Sequence, residues 1–355
     1  MAVAVHHVHA GTSVEPPHPP GRIPHALQRY LPALTDALGS TGMPTVTRIG
    51  AMSSYHLGWT EADGRPRDGG GGKFLRGCLA LWAADRCGGR PHDAAPVAAA
   101  VEWIHNFTLV HDDIQDGDRE RRHRPTVWAV WGAPQAINAG DGMHAIAYRA
   151  LLGGHGHPAT RLRAVTAVNN AVIAVIEGQC LDLALEGQVN TSATTYLRLA
   201  AAKTGALIGA SLEAGALISG ADTRQAALLR RAGIELGIAF QMRDDWLGTW
   251  GDSAVTGKGR GGDLERRKLT YPVVVGQSRL RGAARREFRR LYAYPGGAED
   301  RILALLDEAG ASEAVNMELE RRSRSSVRLA QRCGLSGAAI AEFESIVDFA
   351  AERTA

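Results

Sequence analysis

The sequence predicts an all-α protein in which a bundle of helices surrounds a central cavity. From about residue 25 onward, long segments rich in Ala, Leu, Arg and Glu dominate, and these residues are good helix formers. Only Pro272 and Pro295 interrupt the nearly 200 residues after Pro158. Alternating strand patterns bounded by turn clusters are missing, which argues against a sheet. Because we find neither an internal repeat nor an interdomain linker, we expect one helical domain.

Composition and charge exclude several classes of protein. With 355 residues, 45% of them hydrophobic and 22% charged, the chain is typical of a soluble globular protein with a large core. A net charge of +3 is too close to balance to indicate nucleic acid or a membrane surface as partner. The four cysteines are scattered without a CxxC pair, which argues against a zinc site and favours the reducing cytoplasm. We expect neither a signal peptide nor a transmembrane helix.

The N-terminal segment differs in composition from the rest of the chain. Residues 1–24 hold five of the fifteen prolines and four of the thirteen histidines. This composition predicts a disordered tail, with metal binding by the histidines as the alternative. The functional domain is expected to span residues 25–355.

Lysine is rare in this chain, because arginine supplies 36 of the 40 basic residues. Where arginine is the usual cation, a lysine indicates that a compact ammonium is needed. Lys73 follows a glycine run, and Arg76 shares its helix face. Glycines let a backbone approach an anion, and a helix N-terminus favours negative charge. The segment therefore indicates a phosphate site, although two solvated cations at a helix start would give the same pattern.

An acidic cluster adjoins a basic one at residues 111–124. Asp112 and Asp116 are spaced i, i+4, so on a helix both carboxylates lie on one face. Such carboxylates suit Mg²⁺, which takes one or two of them and completes its shell with water and phosphate oxygens. The arginines that follow suit the same phosphates, because a guanidinium binds them bidentately. The pattern indicates a diphosphate site, although a solvated helix end would also fit one such motif.

Polar residues within apolar helices indicate the rest of this site. His105 lies seven residues before Asp112, which places it on the same helix face, and we expect it to face a ligand rather than the core. Lys203 and Thr204 interrupt another apolar segment, where Gly205 predicts a kink. A surface lysine and a threonine bonded to its own helix are the alternative. Three more polar residues interrupt the segment 171–187: Glu177, Gln179 and Asp182.

A second acidic cluster follows 132 residues after the first. Four of its residues share one helix face through i, i+3, i+4, i+7 spacing: Gln241, Asp244, Asp245 and Gly248. A glycine-rich basic loop with Lys258 comes next, and then Lys268. Two acidic helix ends that face each other across one cavity would hold several Mg²⁺ ions on a single diphosphate.

Together these motifs resemble those of the trans-isoprenyl diphosphate synthases, the polyprenyl synthetase family. The resemblance covers about residues 25–350. It rests on GGKFLR, HNFTLVHDDIQD with two arginines after it, GQCLDL, KTG, and FQMRDD with TGKGRGGDL, in the family's order and spacing. It implies a helical bundle around a deep cavity, usually a homodimer, that condenses isopentenyl diphosphate with an allylic diphosphate.

The resemblance also implies roles, carried over by matching position. The implied Mg²⁺ ligands, for about three ions per site, are Asp112, Asp116 and Asp244. The residues implied to grip the allylic diphosphate are Arg121, Lys203 and Lys258. Those implied to bind isopentenyl diphosphate are Lys73, Arg76, His105 and Arg122. Thr204 and Gln241 match positions that stabilise the developing carbocation, and Lys268 matches a basic residue near the closing end of the site.

The implied reaction agrees with the chemistry of these groups. Ionisation of the allylic C–O bond leaves charge on the departing diphosphate, which Mg²⁺ and lysines stabilise. The double bond of isopentenyl diphosphate then attacks the allylic cation, and loss of a proton gives the longer product. No side-chain base is required, because the departing diphosphate is the family's usual candidate for it.

Product length is expected to depend on residues before Asp112. Phe107 resembles the bulky stop of short-chain enzymes, whereas Thr108 lacks the second aromatic ring of typical eukaryotic farnesyl synthases. This combination most resembles geranylgeranyl synthases, with farnesyl diphosphate as the alternative product. A class I terpene cyclase of the same fold is a further alternative, but it would need no second diphosphate pocket, and no NDxxSxxxE motif is present.

The sequence departs from the family pattern at two glycines. Gly248 stands where many relatives have a third aspartate, so one water-mediated metal contact is expected to be missing. Gly77 stands where proline is common. Neither change removes a residue that matches a direct metal ligand.

Overall fold

A computed structural model describes residues 23–67, 72–154, 156–251, 262–293 and 297–352. Over these ranges the chain consists of helices joined by short connections, which confirms the predicted all-α class. The predicted tail lies outside the described residues except for Ile23 and Pro24, which are buried, so its disorder stays a prediction.

The bundle is built from helices in two consecutive groups. The first contains α1 (His25–Gln28), α2 (Leu31–Thr41), α3 (Arg48–His56), α4 (Leu75–Arg86), α5 (Pro91–Gln115), α6 (Val127–Trp131), α7 (Ala133–Gly153) and α8 (Pro158–Leu185). The second contains α9 (Ala193–Ala200), a π-helical turn (Ala201–Gly205), α10 (Ala206–Ile218), α11 (Thr223–Trp250), α12 (Gly262–Glu265), α13 (Tyr271–Arg279), α14 (Gly282–Ala293), α15 (Glu299–Glu308), α16 (Ala311–Gln331) and α17 (Gly337–Glu352).

Local sequence explains where many of these helices begin. Proline occupies the first turn of α2, α5, α7, α8 and α13, where its missing N–H would have no helical partner. Thr47, Ser192 and Asp222 precede α3, α9 and α11, and each side chain accepts a hydrogen bond from a backbone N–H of the first turn.

A two-residue hairpin follows α5 and was not expected from the sequence. Strands β1 (Glu120–Arg121) and β2 (Arg124–Pro125) pair antiparallel. The turn between them is formed by Arg122 and His123, both with positive φ, 52° and 59°. Two such residues give the tight turn that matches strand twist. The hairpin folds the basic cluster back toward the acidic end of α5.

Helices α5 and α10 form the centre of the bundle. The apolar helix α10 is buried here among α4, α5, α8 and α11. Its glutamate, Glu213, lies 3.6 Å from Arg230 of α11. A second group of buried side chains lies between α13, α14 and α15. It includes Phe288 and Tyr292 of α14.

One described helix, α8, is long and apolar enough to cross a membrane by length and composition, a test that core helices also pass. The polar residues Glu177, Gln179 and Asp182 lie in its second half, and the described residues contain no clear membrane span. Only 39% of the most apolar 18-residue stretch of α8 is buried. Part of this apolar surface therefore faces outward.

Candidate active site

One cavity collects most of the residues that the sequence predicted. It has a volume of about 780 Å³ and lies between α4, α5, α7, α8, the π-helical turn and α11. The predicted residues that line it are Lys73, Arg76, His105, Phe107, Thr108, Asp112, Arg121, Arg122, Lys203, Thr204, Gln241 and Asp244. Asp116 and Lys268 pair with each other, and Lys258 lies outside the described residues.

The C-terminal end of α5 carries the first acidic cluster, where the helix dipole disfavours negative charge. Cations from other segments therefore contact these carboxylates. Lys268 Nζ donates to Asp116 Oδ2 at 2.6 Å, and Arg121 Nε donates to Asp113 Oδ1 at 2.7 Å. Burial raises the pKa of Asp113 to about 6, and Arg121 opposes that shift. The sequence predicted the carboxylates, but only the fold shows which cation pairs with which.

Burial also raises the pKa of Asp112, against the opposing effect of Lys203. Among the described residues, no group of three or more His, Cys, Asp or Glu side chains is close enough to hold a metal ion unaided. Mg²⁺ takes one or two protein carboxylates and completes its shell with water and phosphate oxygens. The donors at the end of α5 therefore fit a metal that arrives with a diphosphate.

A π-helical turn carries Lys203 and Thr204 on the opposite wall. It replaces the kink that Gly205 predicted, and such turns recur at functional sites. Two glycines of neighbouring helices enclose it. A Cβ on Gly178 of α8 would lie 2.5 Å from Lys203 N, and one on Gly237 of α11 would lie 2.5 Å from Gly205 Cα. The turn fits only because both neighbours lack side chains.

The ammonium of Lys203 donates to Asp182 of α8 at 2.5 Å. Asp182, one of the polar residues that interrupt the apolar helix, therefore has an ion-pair partner across the cavity wall. A second, Gln179, donates to Gln115 Oε1 of α5 at 2.9 Å, so it joins two walls of the cavity. Both polar groups therefore have hydrogen-bond partners within the bundle, as buried polar groups require.

Four side chains continue this wall as a chain of hydrogen bonds. Thr204 Oγ1 donates to Gln241 Oε1 at 2.6 Å, and Gln241 Nε2 donates to Asp245 Oδ1 at 2.9 Å. Tyr196 OH donates to Asp245 Oδ2 at 2.6 Å. Burial raises the pKa of Asp245 to about 7, although the hydrogen bond from Tyr196 opposes this. The sequence placed Gln241 and Asp245 on one face but did not indicate Tyr196.

At the other end of the cavity, helix α4 begins without a cap from its own segment. Its N-cap residue, Phe74, is left-handed with φ 47° and makes no side-chain cap. Instead, Gly77 N donates to Glu102 Oε1 of α5 at 2.8 Å. Burial raises the pKa of Glu102, and the Gly77 N–H opposes this shift. Glu102 thus fixes the start of α4, where Lys73 and Arg76 line the cavity.

Two half-buried histidines lie beside these cations. Burial lowers the pKa of His105 well below its usual range, and Arg76 and Arg122 lower it further, so the ring is neutral near pH 7. Burial likewise lowers the pKa of His56 to about 3. The sequence indicated His105 but not His56, which is the last residue of α3 and has no spacing signal. Both rings offer hydrogen bonds without adding charge.

Phe107 lines the cavity beside two histidines. Its ring makes edge contacts with His111 and with His144 of α7, with centroids 5.7 and 5.0 Å apart. Thr108 Oγ1 donates to His105 O of its own helix, so its methyl group remains for the cavity wall. His144 was not predicted, because no local pattern connects α7 with α5.

The two departures from the family pattern have steric explanations. A Cβ on Gly248 would lie 2.1 Å from Asp263 Oδ2, so the carboxylate of Asp263 occupies the space beside this glycine. A Cβ on Gly77 would lie 2.7 Å from the methyl groups of Leu34. The Gly77 N–H that binds Glu102 would be missing from a proline.

Comparisons with known proteins identify the family. The sequence model of the family described as polyprenyl synthetase matches residues 69–308. A geranylgeranyl diphosphate synthase of Mycobacterium tuberculosis is 43% identical over 300 residues, which cover 83% of this chain and 84% of the relative. A (2E,6E)-farnesyl diphosphate synthase of the same species is 38% identical over 309 residues, 85% of each chain.

Solved structures show the same fold. A polyprenyl synthetase from Streptomyces coelicolor superposes with a TM-score of 0.82 and 34% identity, over 92% of this chain and 98% of the other. A geranylgeranyl pyrophosphate synthetase from Pyrococcus horikoshii gives a TM-score of 0.83 with 26% identity, over 92% and 97%. The homologues are isoprenyl diphosphate synthases, which are prenyltransferases. The chain therefore belongs to the polyprenyl synthetase family.

Proposed function

We propose that the protein is a geranylgeranyl diphosphate synthase that adds isopentenyl diphosphate to allylic diphosphates of five to fifteen carbons. The observation that supports this proposal is that two sets of cations and Phe107 line one cavity. Lys203 and Arg121 lie in one set, and Lys73 and Arg76 lie in the other. Two such sets suit two diphosphate substrates.

The residues that would hold Mg²⁺ are Asp112, Asp116 and Asp244, for about three ions in each site. When bound, the ions supply Lewis-acid stabilisation of the charge on the allylic diphosphate. Asp116 would exchange its contact with Lys268 for the metal, which frees that ammonium for the same diphosphate.

The side chains of the cavity perform the remaining steps. Lys203, and Lys258 outside the described residues, stabilise negative charge on the departing diphosphate. Lys73, Arg76, His105 and Arg122 hold isopentenyl diphosphate so that its double bond is within bond-forming distance. Thr204 and Gln241 present oxygen atoms to the allylic cation.

A product assay tests this proposal. Purified protein receives Mg²⁺, labelled isopentenyl diphosphate and, separately, allylic diphosphates of five, ten and fifteen carbons. We expect a twenty-carbon alcohol after dephosphorylation in each case. A fifteen-carbon end point would favour the farnesyl alternative, which the 38% identical relative supports by name. A cyclic hydrocarbon without incorporated label would replace the proposal by a terpene cyclase.

Replacement of Phe107 by alanine is expected to lengthen the product by one or more isoprene units, because the ring, which packs against His144, is the proposed floor of the cavity. Chromatography of dephosphorylated products measures the length. Phe107→Leu is the matched control, since it removes less volume and should lengthen little. Unchanged length in the alanine variant would show that another residue is the floor.

We also propose that the protein is a homodimer, joined through α8. Seven outward-facing residues of this helix are spaced alternately four and three positions apart, which is the spacing at the contact between two paired helices. We call these residues the seam of α8. They are Leu162, Thr166, Asn169, Ile173, Ile176, Cys180 and Leu183. Ile173 is 54% exposed and Ile176 48%, which is unusual for isoleucine in a free-standing chain. Ile176 and Leu183 also line the cavity, so the partner would complete its wall.

Ile173→Asp is expected to convert the dimer into monomers, because a charge in an apolar seam costs several kcal/mol. Light scattering after gel filtration measures the mass. Val46→Asp is the control: Val46 is 86% exposed and lies away from α8, so this variant should stay dimeric. A monomeric wild type, or a dimeric Ile173→Asp, would contradict the proposal.

A further inference from the structure

The carboxylate of Asp245 lies behind the cavity wall and is held from three sides. It is 5% exposed, and it does not line the cavity, whereas its neighbour Asp244 does. Tyr196 OH and Tyr271 N donate to Oδ2 at 2.6 and 2.9 Å, and Gln241 Nε2 donates to Oδ1 at 2.9 Å. Tyr196 itself is 1% exposed. In all three contacts an Asp245 oxygen is the acceptor.

This carboxylate determines which way the Gln241 amide faces. Gln241 Nε2 donates to Asp245 Oδ1, so the NH₂ end of the amide faces Asp245. The carbonyl end then faces Thr204, and the 2.6 Å contact requires the Thr204 hydroxyl to donate its only proton to it. The direction of this chain of hydrogen bonds is therefore set at Asp245, not at the cavity.

The direction of these hydrogen bonds determines the partial charge that the wall presents to the cavity. With its proton engaged by Gln241, the Thr204 hydroxyl turns only lone pairs toward the cavity, and the Gln241 carbonyl lies beside it. A reversed amide would place N–H groups next to Thr204 and turn the hydroxyl proton inward. Oxygens fixed in advance stabilise a developing positive charge, whereas inward N–H and O–H groups would oppose it.

We propose that Tyr196 and Asp245 are a positioning pair that fixes this direction, and so makes the wall at Thr204 and Gln241 selective for a carbocation. The proposal rests on the proposed prenyl transfer and adds two residues that do not touch the substrate. Tyr196 lies in α9, one turn before the π-helical turn that carries Thr204, so both ends of the hydrogen-bond chain belong to one continuous helical segment.

The test compares Tyr196→Phe and Asp245→Asn with the wild type. Each variant removes part of the hydrogen-bond pattern with little change in volume. A matched control is Tyr30→Phe, because Tyr30 OH donates to Asp85 Oδ2 at the same 2.6 Å, at the far end of α4. Thermal melts of all four proteins separate a general loss of stability from a loss at the site.

The measurement is calorimetric binding of two inert allylic diphosphate analogues, both with Mg²⁺ present. One carries an ammonium nitrogen where the cation develops, and the other is a neutral thiolodiphosphate. We expect the preference for the cationic analogue to fall about tenfold in Tyr196→Phe and further in Asp245→Asn, the effect of losing one charge-assisted hydrogen bond. In turnover, kcat should fall by a similar factor while both KM values change little.

If both variants fold and keep the wild-type preference for the cationic analogue, the proposal of a positioning pair is wrong and the proposed function is unaffected. An unchanged preference in Tyr196→Phe with a loss in Asp245→Asn would remove Tyr196 from the proposal. A wild type that binds neither analogue would overturn the proposed function, and this inference with it. If Tyr196→Phe does not fold, Asp245→Asn carries the test.

Discussion

Asp112→Asn is expected to lower kcat by about a thousandfold, the scale on which one electrostatic contact to the transition state contributes. The asparagine keeps the size of the side chain but removes the charge that would bind Mg²⁺. Rates with saturating substrates measure the loss. A variant with near wild-type kcat would show that Asp112 is not a metal ligand.

The same variant is expected to melt at a higher temperature when metal is absent. The folded state raises the pKa of Asp112 above its unfolded value, chiefly through burial. The ionised carboxylate therefore destabilises the fold at neutral pH, and this cost disappears as the pH falls below the unfolded pKa. Asparagine removes the cost at every pH, so the gain in melting temperature should shrink in acid.

Asp222→Asn is the control for this charge change. Asp222 caps α11 by accepting from Gln225 N at 2.8 Å, and asparagine caps a helix equally well. Both kcat and the melting temperature should stay near those of the wild type. Adding Mg²⁺ with pyrophosphate should stabilise the wild type and this control more than Asp112→Asn, because only a ligand that binds the folded state raises its stability.

Gly178→Ala is expected to lower kcat/KM for the allylic substrate by about a hundredfold, because a shift of about 1 Å in a positioned group costs that much. The new methyl group would lie 2.5 Å from Lys203 N and 2.8 Å from Lys203 Cα. Both are backbone atoms, so the π-helical turn must move and take Lys203 and Thr204 with it. Overpacking of this kind also destabilises a core by about 1–3 kcal/mol.

Steady-state kinetics and a thermal melt of Gly178→Ala check both effects. Gly39→Ala is the control, since Gly39 lies within α2 and a Cβ there would meet nothing within 4 Å. That variant should be as active as the wild type and slightly more stable, because alanine restricts the unfolded chain. Full activity in Gly178→Ala would show that the turn has room to adjust.

The sequence by itself determined the fold class and most of the candidate site. Helical periodicity is a local property, and it placed Asp112 beside Asp116, and Gln241 beside Asp244, without any tertiary information. Because lysine is rare in this sequence, Lys73, Lys203 and Lys268 were predicted to have a specific role. All three lie within the described residues. The motif order then indicated the family that the comparisons confirm.

The tertiary structure decided what depends on contacts between distant segments. Glu102 caps α4 across 25 residues, Tyr196 reaches Asp245 across 49, and Lys268 pairs with Asp116 across 152. The outward seam of α8 is apolar like a core helix, so only its exposure distinguishes the two. Propensity and periodicity act over a few residues, whereas such pairs form because packing brings unrelated segments together, and no local pattern records which segments will meet.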